Sequence, residues 1–134
     1  RDTGRVGELR FAEEHVLPRS ATEYFKQNCW VGASQPAADD VAARHVIGLD
    51  KFMWGSDYPH NEGTWPHTRE ALRQRLHDAP ESEMRKILGG NAAELYGFDL
   101  AALEPLGRSF GPTVADLAEP LLSLPEEPSE ALLR

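Results

Sequence analysis

Two short apolar runs, separated by a stretch with helical features, predict an α/β unit in the first half of the chain. The first run lies within Gln27 to Ser34 and the second is Phe52 to Gly55, and both have the length and composition of strands. Between them, Pro36 to Ile47 has a proline near its start and aspartates in its first turn, which favours a helix that ends at Gly48. Strand, helix and strand form one crossover, so we expect parallel strands whose C-terminal ends lie on the same side.

Capping residues and helical spacing predict further helices around this unit. Ser20 and Glu23 have the form of a capping box, which predicts a short helical turn through Tyr24 and Phe25. A later helix is predicted over Pro66 to Leu76, with its arginines in solvent, and another over Pro80 to Leu88, which ends at Gly89-Gly90. A third is predicted to begin at Asn91, as its cap, and to end at Gly97. Two more are predicted over Asp99 to Leu106, which ends at Gly107, and over Pro112 to Leu117. Val6 to Val16 has too few apolar positions for a clear helix, and the last ten residues are expected to fray.

Asp57 follows the second apolar run and stands before a loop rich in proline and glycine, Tyr58 to Pro66. Strand alternation predicts that Asp57 shares a face with Met53 and Gly55, which leaves space beside the carboxylate. At the C-terminal end of a parallel strand, such a carboxylate is a candidate metal ligand or general base. An aspartate after a strand is also typical of a turn or of a helix cap, so the position alone leaves both interpretations open.

The residues around Asp57 and a second motif further on resemble those of a known enzyme family. The first motif is Met53-Trp54-Gly55-Ser56-Asp57-Tyr58-Pro59-His60 followed by Glu62-Gly63-Thr64-Trp65-Pro66, and the second is Ile87-Leu88-Gly89-Gly90-Asn91-Ala92-Ala93-Glu94-Leu95-Tyr96-Gly97-Phe98. In this order they resemble the C-terminal portion of the amidohydrolase-related (amidohydrolase 2) metal-dependent hydrolases. The branch they resemble includes aminocarboxymuconate-semialdehyde decarboxylase and resorcylate decarboxylase.

The resemblance implies a fold for each part of the chain. Residues 1–98 are expected to form the C-terminal part of a (β/α)8 TIM barrel, with the last two strands and the helices that follow them. Residues 99–134 are expected to form a helical, Pro/Glu-rich C-terminal tail. A whole barrel takes roughly 250 residues and this chain has 134, so we expect a fragment of one.

The resemblance also implies a metal centre. In the family, the aspartate after the last barrel strand binds the catalytic divalent metal or holds the attacking water, and Asp57 is the matching position. Asp57 is therefore the expected catalytic residue and metal ligand, with zinc as the expected ion. The family's other ligands are a His-x-His pair and a further histidine on earlier strands. This chain has no His-x-His, because its histidines are His15, His45, His60, His67 and His77.

Three residues of the loop after Asp57 are candidates for contact with a substrate or for support of the site. His60 and Trp65 are the predicted substrate-binding residues, because loops that follow strands line the mouth of a barrel. His60 could instead be a hydrogen-bonded loop residue that positions Asp57, and Trp65 could pack the loop down. Glu62 could support a metal-bound group or be solvated.

Three functions are compatible with these residues. The first is hydrolysis of a small organic substrate by metal-activated water, in which Asp57 holds the metal or takes the proton of the water. The second is non-oxidative decarboxylation by the same metal centre. The third is a non-catalytic truncated module in which Asp57 only caps a turn.

Composition limits the partners and the location. The chain has 14 basic and 22 acidic residues and a net charge of −8, so nucleic acid and anionic membranes are not expected partners. The single cysteine, Cys29, is expected to be a buried, inert thiol, which fits a reducing cytoplasm. Leucines of the tail, Leu117, Leu121, Leu122 and Leu124, could cover a neighbouring subunit, which predicts a homo-oligomer formed through the tail.

Overall fold

Two parallel strands lie at the centre of the α/β arrangement. The computed structural model describes residues 17–133, so the N-terminal stretch Val6 to Val16 and His15 lie outside the described residues. Strand β1 is Val31–Ser34 and strand β2 is Phe52–Gly55. They pair in parallel, with Val31 opposite Phe52 and Ser34 opposite Gly55. This confirms the predicted parallel crossover; a complete barrel around it stays a prediction.

The helix before β1 is longer than predicted. Helix α1 is Ala21–Asn28, and it begins with the predicted capping box of Ser20 and Glu23. The amide of Cys29 donates to the carbonyl of Phe25 at 2.9 Å, so the backbone stays helical through Asn28. The prediction that the strand starts at Gln27 was therefore wrong. Cys29 is half-buried rather than fully buried.

The crossover between the strands is helical, but it is not one helix. Helix α2 is Ala38–Ala42 and helix α3 is Arg44–Ile47, so the predicted helix over Pro36 to Ile47 is divided at Ala43. The amide of Ala43 is shared between the carbonyls of Asp39 and Asp40 at 3.2 and 3.1 Å, which marks a change in the helical hydrogen bonding. Gly48 ends α3 with a φ of 113°, as its role as a stop predicts. A short 3-10 turn, Leu49–Lys51, then leads into β2.

Helix α4, Thr68–Leu76, covers the strands together with α5, Glu81–Arg85, and the later helix α8, Val114–Ala118. Their apolar side chains meet those of β2 and α2 in one buried cluster. The cluster contains Val41, Phe52, Leu72, Leu76, Ala79, Met84, Ile87 and Leu117. The predicted inward positions Leu72, Leu76, Met84 and Ile87 are among them, because helical spacing identified the apolar stripe correctly.

The helical segment after α5 continues through two glycines. Lys86–Gly90 forms a π-helical turn that leads directly into α6, Asn91–Tyr96, so Gly89-Gly90 does not end a helix as predicted. Asn91 is buried and is not a cap. Its side-chain amide donates to the carbonyl oxygens of Leu49 and Phe52 at 2.7 and 2.8 Å, which fastens the turn to the entry of β2. Gly97 then ends α6 in the left-handed region with a φ of 71°, as predicted.

The C-terminal tail folds back along α4. Side chains of α4 and its cap residue contact backbone carbonyls of the tail: His67 contacts Glu127, Arg69 contacts Phe110, Arg73 contacts Glu119 and Pro120, Gln74 contacts Leu132, and Arg75 contacts Ala131. Ala131 and Leu132 are buried in a 3-10 turn, Glu130–Leu133. The predicted fraying of the last ten residues was therefore wrong for residues up to 133.

Arg75 is the largest departure from the predicted surface of α4. Its side chain was expected in solvent, but the residue is 5% exposed and also donates to the carbonyl of Ala71 at 3.3 Å. Burial lowers the pKa of the Arg75 guanidinium. The charge is tolerated there because carbonyl oxygens of the helix and the tail accept hydrogen bonds from the guanidinium. His67 and His77 are likewise half-buried rather than exposed.

The longest helix of residues 17–133 is α7, Leu100–Phe110, and none of its residues is buried. It passes through Gly107, the predicted end, and stops at Gly111, whose amide donates to the Gly107 carbonyl at 2.8 Å. Within the described part of the chain, no helix combines the length and apolar character that a membrane crossing requires.

Candidate metal centre

The ends of the two strands carry the backbone features that shape the candidate site. Gln35, directly after β1, has a φ of 43°, and Asp57, two residues after β2, has a φ of 60°. Both values lie in the left-handed region, which residues other than glycine adopt infrequently. Strand β2 ends at Gly55, so the strand alternation that was predicted to put Asp57 on the face of Met53 and Gly55 does not extend to Asp57. Unusual backbone conformations of this kind tend to cluster at functional sites.

The Asp57 carboxylate is held by two side chains. Gln35 donates from Nε2 to Oδ2 of Asp57 at 3.3 Å, and Nδ1 of His60 lies 3.1 Å from Oδ1. Among residues 17–133, this carboxylate forms its hydrogen bonds with side chains rather than with the amide of a turn or of a helix start. The side chain is 21% exposed, so the carboxylate is oriented by the protein and still accessible from solvent.

The loop after β2 is closed by its own backbone. The carbonyl of Ser56 accepts hydrogen bonds from the amide of Thr64 at 2.9 Å and from its hydroxyl at 3.3 Å. Thr64 is fully buried, and its hydroxyl also contacts that of Thr68 at the start of α4, 2.9 Å away. Inside this closure, the amide of His60 donates to the Asp57 carbonyl at 2.9 Å. The loop thus holds Asp57 and His60 in one compact turn.

Gly63 is required by the same closure. A Cβ at this position would lie 2.9 Å from the carbonyl oxygen of His60 and 3.0 Å from those of Asp57 and Ser56. Real Cβ atoms do not approach backbone oxygens so closely, so only glycine fits without a shift of the loop. The amide of Gly63 donates to the His60 carbonyl at 3.0 Å, which completes the turn that carries the imidazole.

Three side chains of this loop present ligand atoms for a metal ion. Asp57, His60 and Glu62 each offer one such atom, and these atoms lie within 4.8 Å of one another. Carboxylate oxygen and imidazole nitrogen are ligands that zinc and related divalent ions accept. His60 and Glu62 are exposed, so their side chains have room to adjust to an ion beside the more constrained Asp57. The donor set therefore fits a divalent metal as a partial coordination shell of three ligands.

Two aromatic side chains flank the same loop. Tyr58 is 67% exposed and Trp65 is 65% exposed, and their rings meet edge to face with centroids 6.1 Å apart at 66°. Because Thr64 is tied to Ser56, the indole of Trp65 is brought back toward the start of the loop and next to Tyr58. Trp65 does not pack into the core. The pair leaves flat apolar surface available beside the candidate ligands.

Among the described residues, the other histidines take no part in this cluster. His45 lies 3.8 Å from Glu83, which also accepts a hydrogen bond from Arg44 at 2.8 Å. His67 and His77 contact backbone carbonyls along α4 and the tail.

The sequence did not identify Gln35 as part of the site. A glutamine after a short strand has no chemical signature of its own, and only the strand register places it beside Asp57. One signal was available: β1 was predicted to pair with β2, and Gln35 directly follows β1. Its side chain could therefore have been expected near Asp57, which follows β2. The supporting roles of Gly63 and Thr64 were missed for the same reason, since both depend on how the loop closes.

Comparisons with known proteins agree with this geometry at the level of the family. A search against protein families matches residues 17–98 to the family described as Amidohydrolase. Searches of curated proteins and of solved structures found no significant match. The matched range covers more than half of the chain and includes both strands, the loop with Asp57 and helix α6. The chain therefore belongs to the amidohydrolase family.

Proposed function

We propose that this chain is the C-terminal part of a metal-dependent hydrolase that acts on a small organic substrate. In this proposal Asp57 is a metal ligand and accepts a proton from the attacking water. The observation that carries the proposal is the gathering of ligand atoms from Asp57, His60 and Glu62 within 4.8 Å in the loop that follows a parallel strand. Membership of the amidohydrolase family, which is metal-dependent, supports it.

The chain's own residues would orient the reaction. When bound, a divalent ion, which we propose to be zinc, polarises a substrate carbonyl and lowers the pKa of bound water. Gln35 and His60 each contact one oxygen of the Asp57 carboxylate, so the carboxylate presents a fixed direction to its surroundings. A general base must lie within hydrogen-bond reach of the proton that it accepts, and the partial exposure of the Asp57 side chain leaves the carboxylate open to a water molecule.

The substrate would be held by the remaining loop residues. The His60 ring is 68% exposed and can donate a hydrogen bond to a substrate carboxylate or carbonyl. Trp65 and Tyr58 offer an edge-to-face pair on which a planar or apolar part of the substrate can pack. We therefore propose a substrate that combines a hydrolysable amide, ester or lactone with an aromatic or similarly flat group.

The ligand set in this chain is incomplete for tight binding. The sequence has no His-x-His pair, and three ligands from one loop leave the coordination open. We therefore expect the chain to bind zinc with a Kd of about 10 µM to 1 mM and to turn over no substrate by itself.

The test is a titration of the chain with Zn²⁺ and Co²⁺ by calorimetry and by the visible spectrum of Co²⁺. The Asp57→Asn variant is expected to bind at least tenfold more weakly, because a neutral amide replaces the anionic ligand. Asp78→Asn, at an exposed position after α4, is the matched control and should bind like the wild type. Equal affinity of Asp57→Asn and wild type would refute the assignment of Asp57 as a metal ligand. Zinc that stays bound during dialysis against a chelator would contradict the expectation that the ligand set is incomplete.

A further inference from the structure

The last part of the chain passes along α4 and reaches the end of the loop after β2. Arg73 of α4 donates to the carbonyl of Pro120 at 3.0 Å, where this segment begins. His67, the residue before α4, contacts the carbonyl of Glu127 at 2.9 Å. We call residues 119–133 the strap.

The strap turns at Glu127 and returns toward the other end of α4. The side-chain amide of Gln74 donates to the carbonyl of Leu132 at 3.3 Å. His67 and Gln74 lie seven residues apart, which is about 10 Å along the axis of a helix. Leu132 is 2% exposed, so apolar burial anchors this end of the strap. The part around Glu127 is thus the tip that meets the start of α4.

His67 joins the strap to the loop after β2. It directly follows Trp65 and Pro66, with which the loop ends. A carbonyl oxygen can only accept a hydrogen bond, so Nε2 of His67 carries a proton and donates to the oxygen of Glu127. Nδ1 of the same ring lies 4.0 Å from a carboxylate oxygen of Glu70, and the His67 side chain is 22% exposed. The imidazole is therefore enclosed between the first turn of α4 and the strap.

The junction between the loop and α4 has little else to hold it. The buried side chains of α4 begin at Ala71, so its first turn adds no side chain to the core. His67 occupies the cap position, but its side chain accepts no hydrogen bond from the amides of that turn, and uncapped helix starts fray. The hydroxyl of Thr68 in this turn contacts that of Thr64, which closes the loop onto Ser56. Fraying of the first turn would therefore loosen the loop.

We propose that the strap keeps the loop after β2 closed, with His67 as the residue through which it acts. The hydrogen bond to Glu127 fixes the residue that links the loop to α4, and the burial of Leu132 keeps the strap in place. Because the acceptor is a backbone carbonyl, the strap acts through its path along α4 rather than through the side chain of Glu127. The strap thus sets how often the loop opens.

The first test is amide hydrogen exchange of the metal-free chain, followed residue by residue by NMR. The amide of Thr64 donates to the carbonyl of Ser56 in the closed loop, so its exchange reports loop opening. His67→Leu should raise this exchange rate about three- to tenfold, because one hydrogen bond at the junction is lost. His67→Gln places an amide nitrogen near the position of Nε2 and should restore the wild-type rate. His77→Leu, which removes only a contact with the carbonyl of Arg73 inside α4, is the matched control and should leave the rate unchanged.

The second test acts at the opposite end of the strap. Leu132→Asp places a charge in a buried position and should release the strap, so the exchange of Thr64 should again rise about three- to tenfold. Leu133→Asp, at a neighbouring position that is 63% exposed, is the matched control and should not change it. The amide of Met84, which donates to the carbonyl of Pro80 at 3.0 Å in α5, reports loosening of the whole fold and should exchange as in the wild type.

Three results would overturn the proposal. A wild-type exchange rate at Thr64 in both His67→Leu and Leu132→Asp would show that the strap does not control the loop. Faster exchange in His67→Gln, equal to that in His67→Leu, would mean that the ring rather than its hydrogen bond holds the junction. An equal rise at Met84 would mean that the whole fold has loosened. All of these measurements use the metal-free chain, so their outcome is independent of the proposed function.

Discussion

The side-chain amide of Gln35 donates to Oδ2 of Asp57 at 3.3 Å and thereby joins the end of β1 to the loop that follows β2. Both residues have positive φ values, 43° and 60°. The backbone amide of Gln35 also donates to the carbonyl of Gly55 at 2.9 Å, so the neighbouring strand fixes both its backbone and its side chain. The direction of the candidate metal ligand thus depends on a residue 22 positions earlier in the chain.

Replacement of Gln35 by methionine should weaken metal binding while the fold persists. Methionine fills a similar volume but donates no hydrogen bond, so the Asp57 carboxylate loses the contact that orients Oδ2. We expect the Kd for Co²⁺ to rise about tenfold, measured by titration of its visible spectrum. Gln27→Met, on the exposed surface of α1, should leave the Kd unchanged. An unchanged Kd in Gln35→Met would show that this hydrogen bond does not control the ligand.

Gly63→Ala should distort the loop that carries Asp57 and His60. The added methyl group would meet three carbonyl oxygens at 2.9 to 3.0 Å, so the loop must open or shift. We expect a loss of about 1–3 kcal/mol in the free energy of unfolding, measured by urea denaturation, together with weaker metal binding. Gly89→Ala is the matched control, because a Cβ there would meet nothing within 4 Å. It should leave stability unchanged or raise it slightly, and equal losses in the two variants would contradict the steric explanation.

Arg75→Met should release the end of the tail. The guanidinium donates to the carbonyls of Ala71 and Ala131 from a buried position, so its removal leaves buried oxygens without their donor. We expect a loss of about 1–3 kcal/mol in stability and faster amide hydrogen exchange in residues 130–133, measured by mass spectrometry. Arg85→Met, which removes only an exposed pair with Glu81, should change neither. Unchanged exchange at the tail in Arg75→Met would mean that apolar burial alone holds it.

Stability near α8 should depend on pH through Asp116. Hydrogen bonds from the side chain and then the backbone of Thr113 hold the pKa of the Asp116 carboxyl below its usual range. A carboxyl whose pKa is lowered on folding stabilises the folded state above its unfolded pKa, about 3.9, and this contribution is lost as the pH falls below that value.

The stability advantage of the wild type over Asp116→Asn should therefore be present at pH 6 and shrink toward pH 3, measured by urea denaturation at each pH. Thr113→Ser keeps the hydroxyl and should behave like the wild type. A constant difference between wild type and Asp116→Asn across this range would rule out the carboxylate as its source.

Local signals predicted the parts of the fold that depend on neighbouring residues. The capping box at Ser20 and the stops at Gly48 and Gly97 are present as predicted, because each is decided within a few residues of backbone. The parallel pairing of the strands followed from the order of the elements. Asp57 was identified as the candidate ligand from its place after an apolar run and from the family resemblance.

The features that were not predicted depend on hydrogen-bond partners that are far away in the sequence. Asn91 has the residue type of a helix cap, but the carbonyl oxygens of Leu49 and Phe52 lie beside it and accept hydrogen bonds from its side-chain amide instead. Arg75 was predicted in solvent from its charge, although the carbonyls of a tail more than fifty residues later make its burial tolerable. The left-handed backbone at Asp57 has no sequence signal, since aspartate adopts it only occasionally.

The hydrogen bonds between Ser56 and Thr64 make the intervening loop a self-contained unit whose length cannot change without opening it. Substitutions that alter recognition of a ligand are therefore expected among its outward-facing side chains, such as Tyr58 and Asn61, rather than through insertions or deletions. Selection or design at these positions can alter recognition while the shape that delivers the carboxylate stays constant.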